Sequence, residues 1–215
     1  MSQQDIVDTL IEKQGTLFSE SMGIDLSADT GEADFAWLVG SILLAKRISH
    51  SLAERAGKAL NEAGLMSVAG ILDADEDRLL HTLGENGYKR YRELATNYLK
   101  ETARWVEDEL DGDLRRVRDG GDGDEVLERL HGAKGIGAVG AEIFAREAQW
   151  NWDEFYPRLE GPAADKAREL GLSIDHGPLV SMAGSRTRFV RLAAALSRAA
   201  VDETAEEVEE AADKD

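Results

Sequence analysis

Two glycines one residue apart, Gly135 and Gly137, constrain this chain more than any other feature. They stand between a short charged stretch, Asp124 to Leu130, and a longer one of mixed apolar and charged residues that continues through Phe144. Glycine permits φ > 0 and lets another backbone approach closely. Ile136, framed by the pair, has the character of an anchor that seats a turn in a core. The spacing predicts a helix, a tight turn and a second helix over about Asp124 to Glu147. A helix that starts just after Gly137 leaves its first N–H groups unpaired at the positive end of its dipole. Such a terminus suits an anion, and a nucleic-acid phosphate is one such anion.

Hydrophobic periodicity predicts helices along almost the whole chain and no strand. Asp5 to Lys13 puts Ile6, Val7, Leu10 and Ile11 on one side, and Ala33 to Lys46 is apolar enough to be a buried central helix. Ser51 to Ala63 stops at Gly64, a short helix covers Ser67 to Leu72, and Glu76 to Leu83 stops at Gly84. Tyr88 to Leu110 is long and regular, with Leu94, Tyr98, Trp105 and Val106 on its inner side. Asp119-Gly120-Gly121-Asp122-Gly123-Asp124 lacks the register of a calcium loop and is expected to be a solvated turn. Trp150 to Pro157 is an aromatic connection, Pro162 to Leu170 another helix, and Arg186 to Val201 a last one bearing Arg186, Arg188, Arg191 and Arg198 on its polar side. From 202 to 215 the chain is an acidic tail.

Composition limits the chemistry. There are no cysteines, so thiolate zinc sites and four-cysteine iron–sulfur clusters are excluded. His50, His81, His131 and His176 show no spacing that suggests a metal, and no metal is expected. No apolar run reaches membrane-spanning length, and the first residues lack the pattern of a signal peptide, so a cytoplasmic protein without a membrane partner is expected. Asp and Glu number 43 against 25 Lys and Arg, a net charge of −18. A DNA-binding domain ordinarily carries a basic footprint. Here arginines outnumber lysines seventeen to eight, and acids lie along nearly every polar stripe. This resembles the proteome-wide composition of salt-accumulating halophiles. At molar salt the Debye length is about 3 Å, so a negative surface barely reaches a ligand.

Gly135-Ile136-Gly137-Ala138-Val139-Gly140-Ala141 resembles, with one insertion upstream, the hairpin of the endonuclease III-type helix-hairpin-helix DNA glycosylases. Leu38 to Ile48 resembles that family's early buried helix and the loop after it, and Gly87 to Tyr91 resembles the start of its long helix. The resemblance covers about residues 5 to 172. It implies an all-α fold of two lobes: a central lobe over 33–142, and a second lobe of 1–32 with 143–201. The family's active-site mouth lies where its lobes meet. The partner implied is double-stranded DNA, damaged or mismatched, bound by a monomer. The cofactor implied is none, with a monovalent cation at most at the hairpin.

Excision of a base develops oxocarbenium charge on the sugar, which a carboxylate stabilises while water attacks. The resemblance aligns Glu160 with the family's aspartate, and Asp153 is the competing candidate. It aligns Val139 with the lysine that gives bifunctional relatives their lyase step. A valine has no amine, which implies a monofunctional DNA N-glycosylase for base-excision repair. The alternative is a non-catalytic relative that keeps the hairpin for DNA binding. Lys134, Gly135, Ile136, Gly137, Val139 and Gly140 are the expected hairpin contacts. Lys46 and Arg47 follow the buried helix where relatives wedge into the duplex. Trp150 or Trp152 is a candidate wall for a base pocket. An acidic helical protein with no nucleic-acid role is a third reading, favoured if other protein atoms cover the Gly135–Gly140 N–H groups.

Overall fold

In the computed structural model, residues 2–212 are described, with side chains described through residue 201. The helices are α1 (Gln3–Gln14), α2 (Phe18–Ser21), α3 (Gly31–Leu44), α4 (His50–Glu62), α5 (Val68–Asp73), α6 (Glu76–Glu85), α7 (Arg92–Leu110), α8 (Gly123–Leu130), α9 (Ala138–Ala148), α10 (Gly161–Glu169), α11 (His176–Ala183) and α12 (Arg186–Ala212). Short 3-10 turns lie at Leu26–Ala28, Leu114–Arg118 and Asp153–Phe155, and the described residues contain no strand. None of their helices is long and apolar enough to cross a membrane. The side chains of the acidic stretch 202–215 lie outside the described residues.

Contacts divide the chain into two units, 18–155 and 1–17 with 156–215. These boundaries differ from those drawn on the sequence at 32/33 and 142/143. The reason is local. The first and last parts of the larger unit are joined by a buried carboxylate, Glu147 of α9, which accepts the N–H groups of Phe18 and Ser19 at 2.8 and 2.9 Å. This bond ties α2 to α9, and the packing of α9 on α3 keeps α9 with the helices that precede it.

The larger unit is organised around α3. Thr30 caps its N-terminus by accepting from the Ala33 N–H, and every residue from Asp34 to Leu44 is buried. Burying one Leu or Ile side chain is worth roughly 1.5–3 kcal/mol, so Leu38, Ile42 and Leu43, all fully buried, account for much of this helix's hold on the core. The Trp37 indole donates to the Phe144 carbonyl at 2.9 Å, fixing α3 on α9. The long α7 begins at Arg92, four residues later than the periodicity predicts. Tyr88 is buried instead and donates its hydroxyl to the Leu43 carbonyl at 2.9 Å, which holds 87–91 as a turn. The preceding helix passes Gly84 and ends after Glu85, because the left-handed residue is Gly87 (φ +89°).

The smaller unit packs α1, α10 and α11 on α12 around Val7, Leu159, Ala167, Leu179, Phe189 and Leu196. The polar stripe of α12 is partly structural. Arg191 donates to the Gly15 carbonyl and Arg198 to that of Thr16, both at 3.0 Å, and Arg188 pairs with Asp8. The periodicity did not predict α2 or α11, both short.

Candidate nucleic-acid interface

The turn between α8 and α9 rests on one face of α7. Tyr98, Thr102 and Trp105 recur at i, i+4 and i+7, the spacing of a single helical stripe. The Thr102 hydroxyl donates to the Lys134 carbonyl at 3.1 Å. The aromatic neighbours leave no room for side chains in the turn. A Cβ on Gly132 would lie 2.5 Å from the Trp105 ring, and one on Gly135 would lie 2.2 Å from the Tyr98 ring. Gly135 also has φ +87°, where a side chain is strained. Ile136 is 5% exposed and seats the turn in the core, as its framing predicts. On the α8 side, Asp122 and Glu125 form a capping box that fixes where the first helix starts.

Gly137 is the N-cap of α9 and has no side chain to cap it. Nothing lies within 4 Å of where its Cβ would be. The first backbone bond into this helix runs from the Ala141 N–H to the Gly137 carbonyl at 2.9 Å. The N–H groups of Ala138, Val139 and Gly140 meet no acceptor among the described residues. Val139 stands out beside them at 62% exposure, an apolar side chain facing solvent. Gly140 is buried, and a Cβ there would sit 3.1 Å from Ile136 Cδ1 and 3.6 Å from Ala45 Cβ. The first turn of α9 is thus packed on its inner side and open on its outer side.

The charges nearby are few. Lys46, just past the end of α3, holds its Nζ 4.6 Å from the centre of the Tyr98 ring. Partial burial pushes its amine below the ordinary lysine range. Arg47 is exposed. Lys134 lies 3.5 Å from a Glu101 carboxylate oxygen, and His131 lies 3.3 Å from Glu128. Exposed pairs of this kind contribute little to stability, and Lys134 is free to exchange its partner for a phosphate.

The two carboxylates singled out in the sequence belong to different units. Asp153 is exposed on the 3-10 turn Asp153–Phe155 of the larger unit. Glu160 is the N-cap residue of α10 in the smaller unit, yet its side chain does not cap the helix. It accepts from Arg158 at 2.7 Å and is 45% exposed. Trp152 is no pocket wall. It is fully buried, stacks on Phe155 and donates its indole N–H to Asp34 Oδ2 at 3.1 Å. Asp34 is itself 1% exposed, and desolvation raises its pKa to about 6. A cleft of about 310 Å³ opens elsewhere in this unit, between Ile24, Ala33, Ala36, Asn61 and Met66. Neither Asp153 nor any hairpin residue lines it.

The α7 shelf was not anticipated from the sequence, although its signal is there: two aromatics of the 98/102/105 stripe, Tyr98 and Trp105, each meet one of the glycines Gly135 and Gly132. Leu94, expected inside, is 41% exposed one turn before Tyr98. Among the described residues no three His, Asp or Glu side chains gather where they could hold a metal ion. Compared with protein-family models, with curated proteins and with solved structures, the chain finds no match.

Proposed function

We propose that this chain binds double-stranded DNA through the α8–α9 hairpin and acts in base-excision repair as a monofunctional DNA N-glycosylase. The observation that carries the reading is the open first turn of α9. The N–H groups of Ala138, Val139 and Gly140 have no acceptor among the described residues and stand at the positive end of an eleven-residue helix. A DNA phosphate there would accept from these groups, with Lys134 and Lys46 to either side of the turn. The exposure of Gly137, Ala138 and Val139 supports this reading over one without nucleic acid, which would have that turn covered. Val139 gives the hairpin no amine, so the hairpin itself supplies no lyase step. On this reading the protein works as a monomer in the cytoplasm, on damaged or mismatched duplexes, without an iron–sulfur cluster.

Glu160 is the proposed carboxylate that stabilises the developing sugar cation, with Asp153 as the competitor. The test is release of free base from a panel of lesion-bearing duplexes at high potassium chloride. The expected result is base release by the wild type. Glu160→Gln should then lower the excision rate sharply with DNA affinity nearly unchanged, the pattern of an interaction made in the transition state. If Asp153→Asn has that effect and Glu160→Gln does not, the carboxylate is reassigned and the class stands.

A specific observation favours a second reading, a non-catalytic DNA-binding relative. Asp153 is exposed, and Glu160 is exposed and engaged by Arg158 rather than poised over a cavity. Tight binding to lesion duplexes with no base released from any of them would select this reading.

A further inference from the structure

The cleft in the larger unit is lined by groups that suit one kind of ligand. It opens between the residues after α2, the first turns of α3 and the α4–α5 connection. Its lining residue Ala33 stands near the start of α3, and Ala45, which meets Gly140 of the hairpin, at its end, about 18 Å along the axis. The volume, about 310 Å³, is that of a small ligand's site, since such sites begin near about 300 Å³. The floor is apolar, with Ile24, Ala36 and Met66 all buried. The charged side chains that line the cleft are both carboxylates, Asp25 and Glu32, and both are exposed. Asp25 uses one oxygen to accept from the Ser27 N–H at 2.9 Å and its hydroxyl at 2.6 Å, and the other oxygen has no partner among the described residues. Glu32 has no hydrogen bond or ion pair among the described residues. Asn61 donates its amide to the Met22 and Gly23 carbonyls at 3.2 and 2.8 Å, which fixes the side chain and leaves its Oδ1 as a further acceptor.

We infer that this cleft binds a small organic ammonium, with the apolar body on the Ile24, Ala36 and Met66 floor and the charged end among the acceptors at the rim. A primary ammonium carries three donors and no acceptor, which complements two carboxylates and an amide oxygen. The Met66 thioether favours an aromatic body, because sulfur packs well against a ring edge. An anion of the same shape meets two like charges and is refused. A bare metal ion does not suit the cleft. It needs more oxygen ligands than two acids and an amide supply, and it leaves the apolar floor unused. The inference is independent of the DNA-binding reading, because no hairpin residue lines the cleft.

The test uses the full chain and three probes that share one ring and differ in charge: 2-phenylethylammonium, 2-phenylethanol and phenylacetate. Each is titrated at high potassium chloride while backbone amide resonances are followed by NMR. The expected result is a saturable shift with the ammonium, confined to residues around 23–25, 32–36 and 61–67. The alcohol should bind about fivefold more weakly, the size of effect that an exposed charge pair gives, and phenylacetate should not saturate. Glu32→Gln should bring the affinity for the ammonium down towards that for the alcohol and leave the alcohol's unchanged. Ala33→Leu, which fills the cleft from its wall, should abolish the shifts with both probes, and a dispersed amide spectrum shows that each variant is folded. An alcohol that binds as tightly as the ammonium overturns the proposal. Shifts that centre elsewhere, an affinity for the ammonium that Glu32→Gln leaves unchanged, or no saturable shift with any probe overturn it as well.

Discussion

Glu147 reaches across the larger unit to Phe18, accepting its N–H at 2.8 Å with one carboxylate oxygen and that of Ser19 at 2.9 Å with the other. The carboxylate is fully buried, and burial raises its pKa. Glu147→Ala leaves two buried N–H groups without acceptors. Each costs about 1–3 kcal/mol when orphaned, so the variant should lose several kcal/mol of stability, read as a lower urea midpoint. A midpoint equal to the wild type would show that this bond does not join α2 to α9.

The hairpin glycines make a second, graded prediction. Gly135→Ala meets the Tyr98 ring and an unfavourable positive φ together, and Gly132→Ala meets the Trp105 ring. Each should cost on the order of 1–3 kcal/mol. Gly137→Ala meets nothing within 4 Å and sits at φ −101°, so it should leave stability within about 1 kcal/mol of wild type. Thermal unfolding of the three variants checks the order.

Asp34 predicts how stability follows pH. Its native pKa of about 6 lies above its ordinary 3.8, so the folded state binds this proton more tightly than the unfolded chain. The contribution therefore favours folding as pH falls through 6 and is complete below 3.8. The difference corresponds to roughly 3 kcal/mol. Asp34→Asn keeps an acceptor for the Trp152 indole and removes the titration. It should be more stable than wild type at pH 7, with the gap closing towards pH 4. A constant gap across this range would contradict the assignment.

How DNA affinity responds to salt follows from the charge. Basic proteins lose affinity steeply with added salt because bound phosphates release counterions. This chain carries −18 and offers backbone N–H groups with only a few cations. Raising potassium chloride from about 0.1 M to 1 M shortens the Debye length from about 10 to 3 Å and screens its repulsion from DNA. Affinity should hold or rise over that range in a fluorescence anisotropy titration. A loss of several orders of magnitude would point instead to an extended basic interface.

What the sequence made legible was backbone-coded. Glycine spacing at 135 and 137 and the apolar run at 34–44 reflect constraints that act within one or two turns, and they located the hairpin and the central helix. What it hid depends on partners far along the chain. Trp152 is a core residue because Asp34 lies 118 positions away, and the indole alone does not announce that bond. Glu147 is one acid among 43, distinguished only by the N–H groups it meets. Tyr88 fits a helical stripe, but the Leu43 carbonyl claims its hydroxyl and delays the long helix to Arg92. The arginines of α12 have the look of a polar face and instead hold the carbonyls of Gly15 and Thr16.

The account stands most directly on Gly137. Aspartate is a good N-cap residue, its carboxylate accepting from the N–H groups of the first turn, so Gly137→Asp should keep or slightly raise stability. The same carboxylate would occupy those N–H groups and repel a phosphate. The decisive measurement is a titration of wild type and Gly137→Asp with duplex DNA at high potassium chloride, beside their unfolding curves. The account predicts a fully stable variant that no longer binds. A stable variant with unchanged affinity would show that the hairpin is only a turn between two helices.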